Sequence, residues 1–341
     1  MEMKEGEIQA EVQYFNRKLA EVIEQKMQGY SHKILYDVLN HIQDTGGKRL
    51  RPIICILSAE AVGGSRDKAL FTAVAIELLH NASLVHDDII DENYVRREDL
   101  SNPARYGVKR AIVIGDFLFG LSCEMLALCR VPEVVGLVSS TVSDIATGQY
   151  LEFSLRLRDL QEVTEQSYIE VAALKTASTF MASTEAGAML GGGNETEVKN
   201  LRLYGKNLGM AFQIQDDVLD ICGDTAKTGK PVGIDIQNGE RTILAIHALN
   251  HTSASEKEYL SEILSKKKEV ERDDIDRIRA IFIESGAINY AIQLSDELVT
   301  TAKNCIAGLE DTEAKKKLQF IADFAGDRIE KQALAAFLEG C

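Results

Sequence analysis

The stretch LLHNASLVHDDIIDE, Leu78 to Glu92, decides how the chain is read. Leu78, Leu79, Ala82, Leu84, Val85, Ile89 and Ile90 give it the apolar density of a buried helix, yet Asp87, Asp88, Asp91 and Glu92 fall in the same segment. Carboxylates three and four residues apart share a helical face. Two such charges ~4 Å apart repel by about 4 kcal/mol at an effective dielectric near 20. Either the groups stay partly protonated or a cation sits between them. A second copy follows in GMAFQIQDDVLDICGD, Gly209 to Asp224, where Asp216, Asp217 and Asp220 repeat the spacing among Phe212, Ile214, Val218 and Leu219.

A D-D-x-x-D segment at a helix start is explained by capping and by the helix dipole. ERDDIDRIRAIF, Glu271 to Phe282, fits that explanation, because its aspartates follow a highly charged stretch and open a helix. Asp87 and Asp216 differ: helix-like apolar sequence precedes them on the same element. Neither motif has the alternating oxygen ligands and turn glycine of an EF-hand. Zinc prefers Cys and His, and a lone His such as His80 or His86 reads first as a structural residue. Carboxylates without sulfur ligands suit Mg²⁺, which completes its shell with water and phosphate oxygens. A phosphorylated substrate follows from that choice.

The positive charge is gathered in GGKRLRP, Gly46 to Pro52, where Lys48 and Arg51 lie three apart and Pro52 suits a helix start. Arginine pairs bidentately with phosphate oxygens. Arg96-Arg97 follow the first acidic motif, while Lys175, Lys230 and Arg241 are scattered.

Periodicity gives helix almost throughout. Glu11 to Met27 and Leu294 to Leu309 place apolar residues three and four apart. AIVIGDFLF, Ala111 to Phe119, is the one serious strand candidate and is read as buried helix from its helical continuation. Glycines at 46–47, 63–64 and 191–193 mark helix ends, and Cys222 to Gln237 reads as a loop. The 341 residues, 45% hydrophobic, contain four prolines and no low-complexity linker, so a single domain over 1–341 is expected. Net charge is −15, from 53 acidic against 38 basic side chains, which argues against a nucleic-acid-coating protein. The six cysteines show no C-x-x-C spacing and read as reduced thiols. The charged N-terminus has no secretory apolar region, and no apolar run approaches the ~18 residues of a membrane span. A cytoplasmic protein with no integral membrane segment is expected.

Taken together, GGKRLRP, HNASLVHDDIIDE with Arg96-Arg97, GQYLEF (Gly148 to Phe153), Lys175-Thr176, FQIQDDVLD and TGKPVGID resemble the trans-isoprenyl diphosphate synthases (polyprenyl synthetases), in that family's order. The likeness runs from about Gly46 to Ala248. It implies an all-α fold, a single large bundle of antiparallel helices around a central cavity, assembled as a homodimer. It implies that Asp87 and Asp91, supported by Asp88, bind Mg²⁺ at one wall, and that Asp216 with Asp220 binds metal from the other, several ions per site. Lys48, Arg51, His80 and Arg97 would hold isopentenyl diphosphate; Arg96, Lys175 and Lys230 would hold the allylic diphosphate. Thr176 and Gln213 would turn their oxygens toward the allylic cation. The implied reaction is ionisation of the allylic diphosphate and 1′-4 coupling, with Mg²⁺ and the basic side chains stabilising the departing pyrophosphate. Glu152 departs from the family's more frequent Asp in G-Q-x-x-D but keeps the carboxylate. The residues before the first motif form the tunnel floor in this family. Ala82 and Ser83 are small, with Leu79 a turn earlier, which implies products of geranylgeranyl length or longer.

Two alternatives stand beside this. A class I terpene cyclase shares the fold but has a different second metal motif. A non-catalytic helical scaffold, or a subunit of a heteromeric synthase, leaves GGKRLRP unexplained or would have lost metal ligands.

Overall fold

The three-to-four-residue apolar period folds the chain into one helix after another. A computed structural model describes residues 5–27, 37–39, 42, 47–96, 99–223, 232–266 and 270–327. The helices are α1 (Glu5–Met27), α2 (Leu50–Ala61), α3 (Arg66–Ile90), α4 (Asn102–Tyr106), α5 (Val108–Ala127) and α6 (Pro132–Arg156). They continue as α7 (Glu165–Ala172), α8 (Ser178–Gly191), α9 (Glu195–Cys222), α10 (Ile234–Asn238) and α11 (Ile243–His251). Among the described residues α12 (Ala254–Lys266), α13 (Arg272–Glu284), α14 (Ala287–Cys305) and α15 (Glu313–Gly326) follow. A π turn, Ala173–Ala177, joins α7 to α8. Among the described residues the strands are one two-residue pair, β1 (Val95–Arg96) against β2 (Asp99–Leu100), antiparallel. The all-α expectation holds, with this hairpin added.

Two compact units divide the chain. The first comprises Met1–Val142, Thr179–Arg202 and Ile306–Ile321; the second comprises Ser143–Ser178, Leu203–Cys305 and Ala322–Cys341. Phe15, Leu19 and Ile23, four residues apart on α1, enter the core of the first unit with Ile56, Leu78, Val85, Ile114, Leu118 and Val138. In the second unit Ile214, Val218 and Ile221 of α9 pack with Ile243, Ile263, Ile278, Phe282 and Ile288. Each such side chain contributes about 1.5–3 kcal/mol on full burial.

In the first unit α2 and α8 approach backbone to backbone. A Cβ at Gly187 would lie 2.1 Å from the Cys55 carbonyl oxygen, and one at Gly191 would lie 2.5 Å from that of Ala59. Gly187→Ala is therefore expected to destabilise the protein by about 1–3 kcal/mol through overpacking, read as a lower urea midpoint. An unchanged midpoint would mean that the two helices can separate freely.

Helix α3 carries the first acidic motif. Ser65 caps it, its side chain accepting from the Asp67 N–H at 3.2 Å. It ends where the Asp91 N–H meets the Asp87 carbonyl at 2.8 Å and Glu92 turns to a φ of 53°. By length and composition α3 is apolar enough to cross a membrane, although polar residues interrupt its apolar run. Of its most apolar window 67% is buried inside the protein, the pattern of a core helix.

Ala111 to Phe119 is helical, within α5, but it is not wholly buried: Ile112 and Val113 are 45% and 62% exposed. Asp273 and Asp274 open α13, where the Asp274 carboxylate accepts from the Glu271 N–H, as capping requires. Cys55, Cys123, Cys129, Cys222 and Cys305 are free thiols, and burial pushes Cys55 up to about 12.

Candidate active site

In the first unit the helical period sorts the aspartates of α3 by face. His80, Ser83, Leu84, Asp87 and Asp91 reach solvent in part, whereas Ala82, Val85 and Asp88 are buried. Asp88 is 1% exposed and receives a fork from Arg96. Nε lies 2.8 and 2.9 Å from its two oxygens, and Nη2 lies 2.7 Å from Oδ1. The hairpin after α3 brings Arg96 back to this position, eight residues on. Part of the repulsion inside the motif is thus cancelled by a side chain of the protein itself. Arg96, expected to hold the allylic diphosphate, directs its Nε and Nη2 to Asp88.

The second unit repeats the sorting on α9. Gln213, Asp216 and Asp220 are partly accessible and Asp217 is buried. Asp217 accepts from the Tyr168 hydroxyl at 2.8 Å and from the Gln213 amide at 2.9 Å. Burial outweighs these donors and pushes its carboxyl up to about 7. Asp220 accepts from the backbone N–H groups of Ile234 and Asp235, each at 3.1 Å, and so caps the start of α10. Burial first, then the charges of Asp220, Asp217, Glu240 and Glu152, hold the Asp235 carboxyl well above the usual range. A water-sized cavity lies beside Asp217, Asp235, Glu240 and Thr242.

The π turn presents the next two expected residues. Lys175 donates to Glu152 Oε2 at 2.7 Å, and the same oxygen accepts from Gln149 at 2.8 Å and Arg156 at 3.2 Å. The longer Glu in GQYLEF therefore still reaches the lysine. Gly148 lets α6 and the π turn approach, since a Cβ there would stand 2.5 Å from the Lys175 backbone nitrogen. The Thr176 hydroxyl donates to Gln213 Oε1 at 2.6 Å, joining the π turn to α9.

In the first unit Arg51 donates from Nε to Thr179 Oγ1 at 2.8 Å, lies 3.4 Å from His80 Nε2 through Nη1, and stacks 4.5 Å from the Phe180 ring. Lys48 is exposed immediately before α2. Arg97, Lys230, Gly46 and the first half of TGKPVGID lie outside the described residues, and Ile234 and Asp235 open α10 where a loop was expected. Arg241 is buried and donates to the carbonyls of Gly239, Leu264, Arg156 and Arg158, a structural role. Tyr168 and the Lys175–Glu152 pair escaped the sequence reading. Tyr168 gave no signal, whereas the acid in GQYLEF was visible without its partner.

The donor set fits magnesium. Among the described residues no three His, Cys, Asp or Glu side chains converge as a preformed cage. Mg²⁺ needs none: it binds through one or two carboxylates and keeps water and substrate phosphates in its shell. Asp87, Asp91, Asp216 and Asp220 are the partly accessible aspartates of the two motifs, and of these Asp220 also accepts from the backbone of α10.

The polyprenyl synthetase family profile matches residues 32–282. The chain is 36% identical over 329 residues to the short chain isoprenyl diphosphate synthase of Methanothermobacter thermautotrophicus, covering 93% of this chain and 99% of that one. It resembles the structure of geranylgeranyl pyrophosphate synthetase from Pyrococcus horikoshii with a TM-score of 0.85 and 32% identity, over 95% of this chain and 98% of the other. The decaprenyl diphosphate synthase of Rhodobacter capsulatus gives a TM-score of 0.88 at 28% identity, over 96% and 99%.

Proposed function

The chain belongs to the polyprenyl synthetase family and is an isoprenyl diphosphate synthase, and from that premise we propose a Mg²⁺-dependent condensation of isopentenyl diphosphate with an allylic diphosphate. The product is an all-trans polyprenyl diphosphate of geranylgeranyl length or longer. The observation that supports this most is the matching division of labour in the two motifs. In each, the first and last aspartates stay accessible while the middle one is buried and hydrogen-bonded within the protein. Asp220 also caps α10, but Asp87 and Asp216 stand within α3 and α9, away from any helix start, where capping does not account for them.

Asp87 and Asp91 take metal in the first unit, and Asp216, beside Asp220, takes it in the second. When bound, the metal supplies neutralisation of the negative charge that develops on the departing pyrophosphate. Asp88, held by Arg96, fixes the end of α3 and so the orientation of Asp87 and Asp91. Arg51, held by Thr179 and Phe180, binds isopentenyl diphosphate together with Lys48 and His80. Lys175, steered by Glu152, faces the allylic diphosphate, and Arg97 and Lys230 complete the two anion sites. Thr176 and Gln213 keep oxygen lone pairs near the cation that forms as the allylic bond breaks. Exclusion of water protects that cation. The freed proton passes to the departing pyrophosphate.

The same reading takes both compact units as one polyprenyl synthetase domain, because the family profile runs unbroken through segments of each. It includes a homodimer in the cytoplasm, with Val108, Ile112 and Val113 of α5 offering an exposed apolar face for self-association.

The test supplies labelled isopentenyl diphosphate with dimethylallyl, geranyl or farnesyl diphosphate, with and without Mg²⁺, and sizes the products. Mg²⁺-dependent elongation to geranylgeranyl length or beyond is expected. No turnover with any primer would overturn the reading.

A further inference from the structure

Between Lys48 and Arg51 stands a third cation that cannot touch a substrate. The Arg49 side chain is 0% exposed. Its guanidinium donates from Nη1 to Glu77, from Nη2 to the Ile42 carbonyl at 2.6 Å and from Nε to Asn16 Oδ1 at 3.0 Å. Glu77 is held in turn by the Asn81 amide, 3.0 Å from Oε1. The Arg49 backbone has φ 49° and ψ 29°, a left-handed conformation that is unfavourable for a residue with a Cβ. Such a conformation persists where its surroundings over-determine it, and here they do so from α1, from Ile42 and from α3.

Two registers then coincide. Glu77 and His80 are three residues apart on α3, and they meet Arg49 and Arg51, two residues apart across the start of α2. Thus the buried pair fixes where the turn sits against the helix that carries His80, Asp87 and Asp91. A buried ion pair is a weak device for stability, since apolar residues of similar volume serve as well or better. Its use here is accounted for by position.

We propose that Arg49 is a positioning residue for isopentenyl diphosphate: its buried pair with Glu77 pins the left-handed turn and thereby sets the separation and direction of Lys48 and Arg51. This rests on the assignment of those two cations to isopentenyl diphosphate.

Three variants test it: Glu77→Gln, the apolar pair Arg49→Met/Glu77→Leu, and Asn16→Ala, which removes one of the hydrogen bonds to Arg49 and leaves the ion pair. Steady-state kinetics are measured with each substrate varied, alongside thermal unfolding. A displaced phosphate site should raise KM for isopentenyl diphosphate on the order of tenfold or more in the first two variants, and by less in Asn16→Ala. KM for the allylic diphosphate should stay within about twofold of wild type, since that site is built elsewhere. The apolar pair should regain thermal stability relative to Glu77→Gln and still show the raised KM. A merely structural role would lower the active fraction and leave both KM values unchanged, and that result would overturn the proposal, as would a parallel rise in both. Should the first two variants fail to fold, Asn16→Ala decides by the same selectivity. Failure of the functional reading is separate, because it would appear as absent turnover in the wild type.

Discussion

Asp87→Asn should lower kcat/KM on the order of 10³-fold, the scale of losing one group that stabilises developing charge in a water-excluded site, with little change in thermal stability. Asp87 is partly exposed on α3, so an amide in its place keeps access to water. Its neighbour should behave in the opposite sense. Arg96→Met would leave the Asp88 carboxylate 1% exposed and uncompensated, and breaking a buried pair in this way costs about 3–5 kcal/mol. Asp88→Asn should cost less, because Arg96 retains 25% exposure and can turn to water. A second readout separates metal binding from turnover. Mg²⁺ with inorganic pyrophosphate should raise the unfolding midpoint of wild type, since a ligand at 100 times its Kd contributes about 2.7 kcal/mol. Asp87→Asn should lose that shift. If Asp87→Asn kept activity within about tenfold of wild type together with the full Mg²⁺ response, the metal assignment would be wrong.

That contrast marks how far the sequence could be read. The D-D-x-x-D spacing and its apolar context pointed to metal, and helical periodicity placed both copies on helices. Within each motif, however, the three aspartates look equivalent in a linear text. Which of them is buried depends on how the helix is rotated against its core, and on partners brought from elsewhere. Arg96 returns through a hairpin whose strands are two residues long, too short for any alternation to register. Tyr168 reaches Asp217 across 49 residues with no local pattern at all. Arg49 was legible only as one more positive charge in GGKRLRP, because its burial follows from Asn16, Ile42 and Glu77. The apolar run at Ala111 to Phe119 was read as buried because hydrophobicity was equated with core, and Ile112 and Val113 are exposed. Periodicity specifies an apolar face; it does not say whether that face meets the same chain.

Ser83→Phe should shorten the product by one or more isoprene units, and Ala82→Phe should not do so cleanly. The family resemblance treats both small residues as tunnel floor, but their environments differ. Ser83 lies four residues before Asp87, on the face that also carries His80, and its hydroxyl donates to the His80 carbonyl at 2.8 Å. Side chains four apart on a helix stand one above the other, so an aromatic ring at 83 would occupy the space beneath Asp87, where the proposed reaction would extend the chain. Ala82, about 100° further round the helix, is turned into the core. It is 0% exposed and belongs to the cluster formed by Ala75, Leu78, Leu79 and Val85. A phenylalanine there must displace packed neighbours, at a cost of about 1–3 kcal/mol or more, and any change in product would follow from a distorted α3. The comparison is made by sizing products from one primer while recording the unfolding midpoint of each variant. Shortened product with a wild-type midpoint in Ser83→Phe would place the chain-length determinant on the aspartate face. Unchanged product in Ser83→Phe, with shortening in Ala82→Phe at undiminished stability, would move the determinant to position 82 and require the tunnel to open through what is packed core in this structure.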